Sequence, residues 1–285
     1  MASSENDSSR RFVITGAASG IGRELSRRVL AAGDQLLAID INAEPLAELN
    51  QFAQPGQFYC ERFDVSDPHH WQLLEQKIPE IWPRVDVVMN IAGVVRPGWV
   101  EDQLAMDVDH HININTKGVI YGTQMATRLM QHQEPTPGKQ RGHIINVASL
   151  AGIAAVPGIS LYTASKFAVR GYSLAVAQEL RRHNIAVSVV CPDLVDTPML
   201  DEEIEWEEET ALVFSGGKVL TVGDVCDVLL GEVLTNQPLE RCIPKARGRL
   251  AHFSSVAPKL SSKLADQLAK RGSSNKQKLR KQRKS

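Results

Sequence analysis

Short runs rich in Val, Ile and Leu alternate with longer amphipathic stretches from residue 12 to about residue 243, and this alternation leaves the chain few architectures. Seven segments read as strands: 11–15 (RFVIT), 35–40 (QLLAID), 57–63 (QFYCERF), 85–92 (VDVVMNIA), 142–149 (GHIINVAS), 185–192 (IAVSVVCP) and 239–244 (LERCIP). Several are apolar at consecutive positions, which implies burial on both faces, as in a parallel sheet covered by helices. Helices are expected over 21–32, 67–81, 109–131, 162–182 and 222–235; in the first, Ile21, Leu25 and Val29 share a face. Strand, helix and strand in repeated succession predict an α/β fold, a doubly wound parallel seven-stranded sheet with helices on both faces, as one domain over 11–244.

Four segments fall outside that rhythm. Residues 132–141 (HQEPTPGKQR) form a polar Pro/Gly excursion. Residues 199–217 are acidic, with Ile204, Trp206, Leu212 and Phe214 interspersed, so they read either as a solvated face or as an amphipathic lid over a pocket. Residues 245–271 carry scattered apolar positions (Leu250, Phe253, Val256, Leu260, Leu264, Leu268), which fits a peripheral helical extension. The closing 272–285 (GSSNKQKLRKQRKS) is basic and polar and is expected to be disordered, serving as a solubilising tail or as a weak contact for RNA or an anionic membrane.

Charge and cysteine usage narrow the setting. A net charge of −1 gives no global field that would recruit nucleic acid. The four cysteines, at 60, 191, 226 and 242, have no ligand-like spacing and read as reduced thiols. The polar start MASSENDSSRR has no apolar stretch behind it, and no run approaches the length of a membrane span. A cytoplasmic protein is the expectation.

Directly after the first strand comes TGAASGIG, and directly after that a helix. Glycine at 16, 20 and 22 permits a tight turn, a close approach of backbone N–H groups to a pyrophosphate, and tight packing of the next helix on the sheet. Gly16, Ser19, Gly20, Ile21 and Gly22 are therefore candidate cofactor-binding residues. Asp40, at the end of the second strand, can accept hydrogen bonds from the adenosine ribose and would repel a 2′-phosphate. Neither Ser19, Ile41 nor Asn42 offers the positive charge that a phosphate needs. NAD is expected as cofactor, with NADP as the alternative.

Tyr162 to Lys166 reads YTASK at the start of a helix, which places phenol and ammonium on one face. With TGAASGIG, Asp64-Val65, NIAG (Asn90 to Gly93), Asn115, and Ser149 thirteen residues before Tyr162, the pattern resembles the short-chain dehydrogenase/reductase family over about 235 residues. The resemblance implies a Rossmann fold and NAD(P)-dependent interconversion of a secondary alcohol and a ketone by hydride transfer. Tyr162 would be the general acid/base, and its phenolate would be favoured by the Lys166 ammonium. Lys166 would also bond the nicotinamide ribose, Ser149 would hydrogen-bond the substrate oxygen, and Asn115 would hold a water in a proton relay. Asp64 and Val65 would meet the adenine, Asn90, Ala92 and Gly93 the ribose side, and Pro192, Val195 and Thr197 the carboxamide side.

Two features depart from the family pattern. Asp193 stands where glycine is usual, either as a hydrated turn residue or as a substrate contact. The chain also continues beyond the position where an Asp-Gly-Gly-like terminus often helps pack tetramers, so a homodimer or a homotetramer is expected. Trp206, Leu212 and Phe214 suggest an apolar small-molecule alcohol or ketone as substrate. A catalytically silent dinucleotide sensor or scaffold is the alternative, which has no need of Asn115, Ser149, Tyr162 and Lys166 together.

Overall fold

A computed structural model describes residues 9–135, 140–206, 208–216 and 218–284. The expected strands form at β1 (Arg11–Thr15), β2 (Gln35–Asp40), β3 (Phe58–Arg62), β4 (Val87–Asn90), β5 (Gly142–Val147), β6 (Ile185–Pro192) and β7 (Glu240–Ile243). They make one parallel sheet in the order β3-β2-β1-β4-β5-β6-β7. The order reverses between the paired strands β1 and β4, so the segments that leave them open a crevice at their carboxyl ends, the place where doubly wound sheets bind ligands.

Helices α1 (Gly20–Ala31), α2 (Ala43–Ala47), α3 (Pro68–Ile81), α4 (Ala105–His111), α5 (Gly118–Met130) and α6 (Ser160–Leu180) connect the strands up to β6. Then come α7 (Pro198–Glu205), α8 (Val222–Val228), α9 (Leu234–Asn236), α10 (Lys245–Val256) and α11 (Pro258–Lys284). Alternation along the central strands sorts the core into two layers. Phe12, Ile14, Leu36 and Ala38 pack with Leu25, Val29, Val225, Leu229 and Val233 on one face. Val13, Leu37, Ile39, Val88, Ile144 and Val187 pack with Trp71, Leu74, Met125, Met130 and Leu180 on the other.

Local chemistry explains several boundaries. Asp67 caps α3 by accepting the His69 N–H at 2.9 Å, with Pro68 behind it in the first turn. Thr221 and Asp224 form a reciprocal capping box at the start of α8. The expected single helix over 109–131 is α4 and α5 joined by a π-helical stretch, Ile112–Lys117, and a second π-helical stretch, Leu229–Val233, divides the helix expected over 222–235. Such π turns concentrate at functional sites, and the first contains Asn115.

The terminal segment is a correction. Residues expected to be disordered form the second half of α11, docked on the acidic segment. Asn275 donates to the carbonyls of Phe214 and Gly216, both at 3.1 Å, and Lys276 donates to Thr210 Oγ1 at 2.6 Å. Leu279 packs on Leu200, Ile204 and Phe214, while Arg283 ion-pairs with Asp196 and Asp201. A basic tail is solvated only while no acidic surface lies within reach, and here one does. The 132–141 excursion lies partly outside the described residues.

Candidate active site

The cleft begins at the turn between β1 and α1. Gly16 has φ +68°, and a Cβ there would lie 2.9 Å from the backbone N and Cα of Ala92, so no side chain fits. Thr15 Oγ1 ties the same two segments together by accepting the N–H groups of Ile91 at 3.0 Å and Ala92 at 3.1 Å. A Cβ on Gly22 would meet the Gly16 carbonyl at 2.0 Å, so α1 is seated directly on the turn. Its N-terminus has no side-chain cap from Ser19 and no acid in its first turn, which leaves Gly20 and Ile21 at an end suited to an anion. This cradle fits a pyrophosphate.

Asp40 stands beside it at the end of β2, buried, with Oδ2 accepting Ala18 N–H and Oδ1 accepting Asn42 N–H, each at 2.9 Å. Next to it the Arg62 guanidinium donates to the Ile41 carbonyl at 3.1 Å. Sequence reasoning overlooked this cation because it arrives from the neighbouring strand.

Asp64 and Val65 follow β3. Asp64 accepts Ser66 N–H at 2.8 Å, and Val65 packs so closely on Gly118 that a Cβ there would lie 2.8 Å from Val65 Cγ2. Across the cleft, Gly20 faces Thr197, and Val195 bridges to Leu220, so the segment after Pro192 runs against the phosphate turn. Asn90 does not join them. Its side chain is buried between β4 and β5, donating to Asn146 Oδ1 at 2.8 Å, and so holds the sheet rather than lining a ribose.

Ala92 and Gly93 carry the chain from β4 into the catalytic group. A Cβ on Gly93 would lie 3.2 Å from Asn115 Oδ1 and 3.3 Å from Lys166 Nζ, which places all three around one point. Asn115 is fully buried; its Oδ1 accepts Val94 N–H at 2.8 Å and its Nδ2 donates to Val94 O at 2.9 Å and to Ser165 Oγ at 3.0 Å. Lys166 comes from the second turn of α6, donates to Val147 O at 3.1 Å, and sits 5.6 Å from the centroid of the Tyr162 ring. Ser149 lies just past β5, where its Oγ accepts the Ala151 N–H at 3.1 Å and its hydroxyl favours the Tyr162 phenolate. The structure thus brings Asn115, Ser149, Tyr162 and Lys166 together from three separate segments.

The expected ionisation does not hold for the chain alone. Burial raises the Tyr162 phenol above its ordinary value, and the buried Glu203 adds to the rise, while the Ser149 hydroxyl opposes it. Burial also brings Lys166 down to about 8. A low-dielectric pocket penalises each charged form, and the ammonium bonds a carbonyl rather than the phenol oxygen.

The acidic segment contributes to the burial of Tyr162. A Cβ on Gly158 would lie 1.9 Å from the Glu209 carbonyl, so the segment lies directly on the loop before α6. Met199 and Val213 pack with Tyr162, Val95, Ala151, Val156 and Ile159. The apolar contacts expected of Trp206 and Phe214 fall elsewhere, because Trp206 is 40% exposed and Phe214 turns toward α11. Glu203 is buried and driven up to about 8 by that burial, partly offset by Lys276. Nothing in the acidic run distinguishes this one glutamate; only its orientation does.

Asp193 is not a freely hydrated turn residue. Its Oδ2 accepts from Arg247 Nε of α10 at 2.7 Å, an ion pair across 54 residues of sequence.

The sequence matches the short chain dehydrogenase family over residues 10–208. It is 36% identical over 202 residues to the 3-oxoacyl-(acyl-carrier-protein) reductase FabG of Thermotoga maritima, covering 70% of this chain and 80% of that one. It is 32% identical over 203 residues to mouse 15-hydroxyprostaglandin dehydrogenase (NAD(+)), covering 69% and 71%. The fold superposes on the crystal structure of levodione reductase with a TM-score of 0.73 and 24% identity, covering 84% of this chain and 98% of that one. The chain belongs to the short-chain dehydrogenase/reductase family.

Proposed function

We propose that this family member interconverts an apolar secondary alcohol and its ketone by hydride transfer, with NAD as the preferred dinucleotide and Tyr162 as the proton carrier. The observation that carries the reading is the convergence of Ser149, Tyr162, Lys166 and Asn115 beside a turn that only glycine can make. When bound, the nicotinamide supplies or accepts the hydride. Gly16, Ser19, Gly20, Ile21 and Gly22 would hold the pyrophosphate, Asp40 the adenosine ribose, Asp64 and Val65 the adenine, and Ala92, Gly93, Pro192, Val195 and Thr197 the nicotinamide half.

The chain's own groups divide the remaining work. In oxidation Tyr162 takes the proton from the substrate hydroxyl, and in reduction it returns one to the forming alkoxide. The Ser149 hydroxyl faces the same oxygen and stabilises its developing charge. Lys166 at about 8 stands poised to exchange a proton near neutral pH, and Asn115 fixes the backbone beside it. Asp40 favours NAD through its carboxylate, against the pull of Arg62 on a 2′-phosphate.

Val95, Val156, Ile159, Met199 and Val213 around Tyr162 fit an apolar substrate, and the acidic outer face of the lid disfavours a strongly anionic carrier. A homo-oligomer is supported by the exposed Leu104, Met106 and Val108 in and beside α4. The test is a screen of secondary alcohols with NAD and NADP separately, followed by absorbance of the reduced nicotinamide, with Tyr162→Phe as the blank. Turnover that survives in Tyr162→Phe defeats the assignment, as does a failure of the protein to bind either dinucleotide.

A further inference from the structure

A second group of chemically reactive side chains lies at the β7 edge of the sheet, apart from the catalytic cluster's substrate face. Strand alternation puts Glu240 and Cys242 on one side of β7, and α10 covers that side. The helix approaches closely because residue 248 is glycine: a Cβ there would lie 2.2 Å from Cys242 Cβ and 2.6 Å from its Sγ. His252 is one turn further along the same helix face, so the packing that admits Cys242 also delivers an imidazole. His252 Nε2 lies 2.6 Å from Glu240 Oε1, Cys242 Sγ lies 3.9 Å from that oxygen, and the three donor atoms are all within 4.8 Å of one another.

We propose that Glu240, Cys242 and His252 form a binding site for one divalent transition metal of the zinc class. A thiolate, an imidazole and a carboxylate oxygen are the donors that zinc takes, and the thiolate disfavours magnesium and calcium. Bonds of about 2.0–2.3 Å at tetrahedral angles separate donors by roughly 3.3–3.8 Å, so side-chain rotations of about an ångström would suffice. Glu240 is already oriented for it, because Arg170 holds the other carboxylate oxygen, Oε2, at 2.5 Å. Water completes the tetrahedral set, with Cys191, the register partner of Cys242 on β6, as the neighbouring thiol. His252 is 44% exposed, which gives the ion an entry path. Binding displaces the Cys242 thiol proton and clips α10 to the sheet edge.

Cobalt(II) is the probe, added to the full-length protein kept reduced with a phosphine. One equivalent per chain should produce a thiolate-to-cobalt charge-transfer band in the near ultraviolet, which excess zinc erases. Cys242→Ser should abolish the band, His252→Ala should weaken binding by roughly tenfold or more, and Cys60→Ser should leave it unchanged. His252 is a surface residue, so its variant tests the site without threatening the fold. Absence of the band overturns the proposal, as does a band that persists in Cys242→Ser or wild-type affinity in His252→Ala. The readout is independent of turnover, so it stands or falls apart from the assigned reaction.

Discussion

Replacing Glu203 by glutamine removes a carboxyl that the lid buries against its own preference for water. Its value rises from 4.5 to about 8, chiefly through burial, with Glu202 adding to the rise and Lys276 partly offsetting it. The folded protein therefore binds one more proton than the unfolded chain between those limits. Stability from this group is complete below pH 4.5, falls as pH rises, and levels off above pH 8. At pH 7.5 the gap of about three units corresponds to about 4 kcal/mol, at about 1.4 kcal/mol per unit. Local opening of the lid would rehydrate the group and caps the observable effect at about 2–4 kcal/mol. Glu203→Gln should match the wild type in melting temperature near pH 4.5 and exceed it by roughly 5 °C or more near pH 8. Thermal unfolding at both pH values decides the matter. If Glu203 is instead ionised and paired with Lys276, the glutamine variant takes the carboxylate away from a buried ammonium and loses stability, about 3–5 kcal/mol, at neutral pH.

Three further outcomes are expected. Truncation after Arg271 removes Asn275, Lys276, Leu279 and Arg283 from the lid, so limited proteolysis should cut within 199–217 sooner and KM for the alcohol should rise; unchanged cleavage there would show that the helix does not restrain the lid. Gly16→Ala places a methyl 2.9 Å from the Ala92 backbone at a positive φ and should weaken dinucleotide binding at least tenfold by fluorescence titration, while the fold persists by circular dichroism. Lys166→Met, which keeps the buried stem and removes the ammonium, should move the rising limb of the oxidation rate to higher pH, and an unmoved limb would deny Lys166 any part in the proton transfer.

What could be read from the sequence was what short spans specify. The central strands declared themselves because a parallel strand covered on both faces is apolar throughout, and the phosphate turn because its glycines are set within seven residues, Gly22 packing on the Gly16 carbonyl. Ser149, Tyr162 and Lys166 were legible through fixed spacing. Asp193 was not, since its partner Arg247 comes from a helix beyond the last strand, and neither was Asn90, whose residue type says nothing about which way the amide turns. The docked tail escaped for the same reason: its basic composition is that of a disordered segment, and only the fold reveals the acidic surface beside it. Cysteine spacing likewise concealed the donor group at β7, whose members lie on a strand and a later helix.

Three titrations in the site have one physical origin. Tyr162 is raised, Lys166 lowered and Glu203 raised, each toward neutrality and each chiefly by burial. A cation beside the phenol would lower the phenol's value, yet the burial of both groups removes the water that would sustain either charge. The Coulombic pairing legible in the sequence is therefore outweighed by desolvation that only the fold supplies. Tail and chemistry are linked by the same route, because α11 holds the lid through Asn275 and Lys276 while Met199 and Val213 of the lid contact Tyr162. Whatever loosens that helix rehydrates the phenol and lowers its value toward 10.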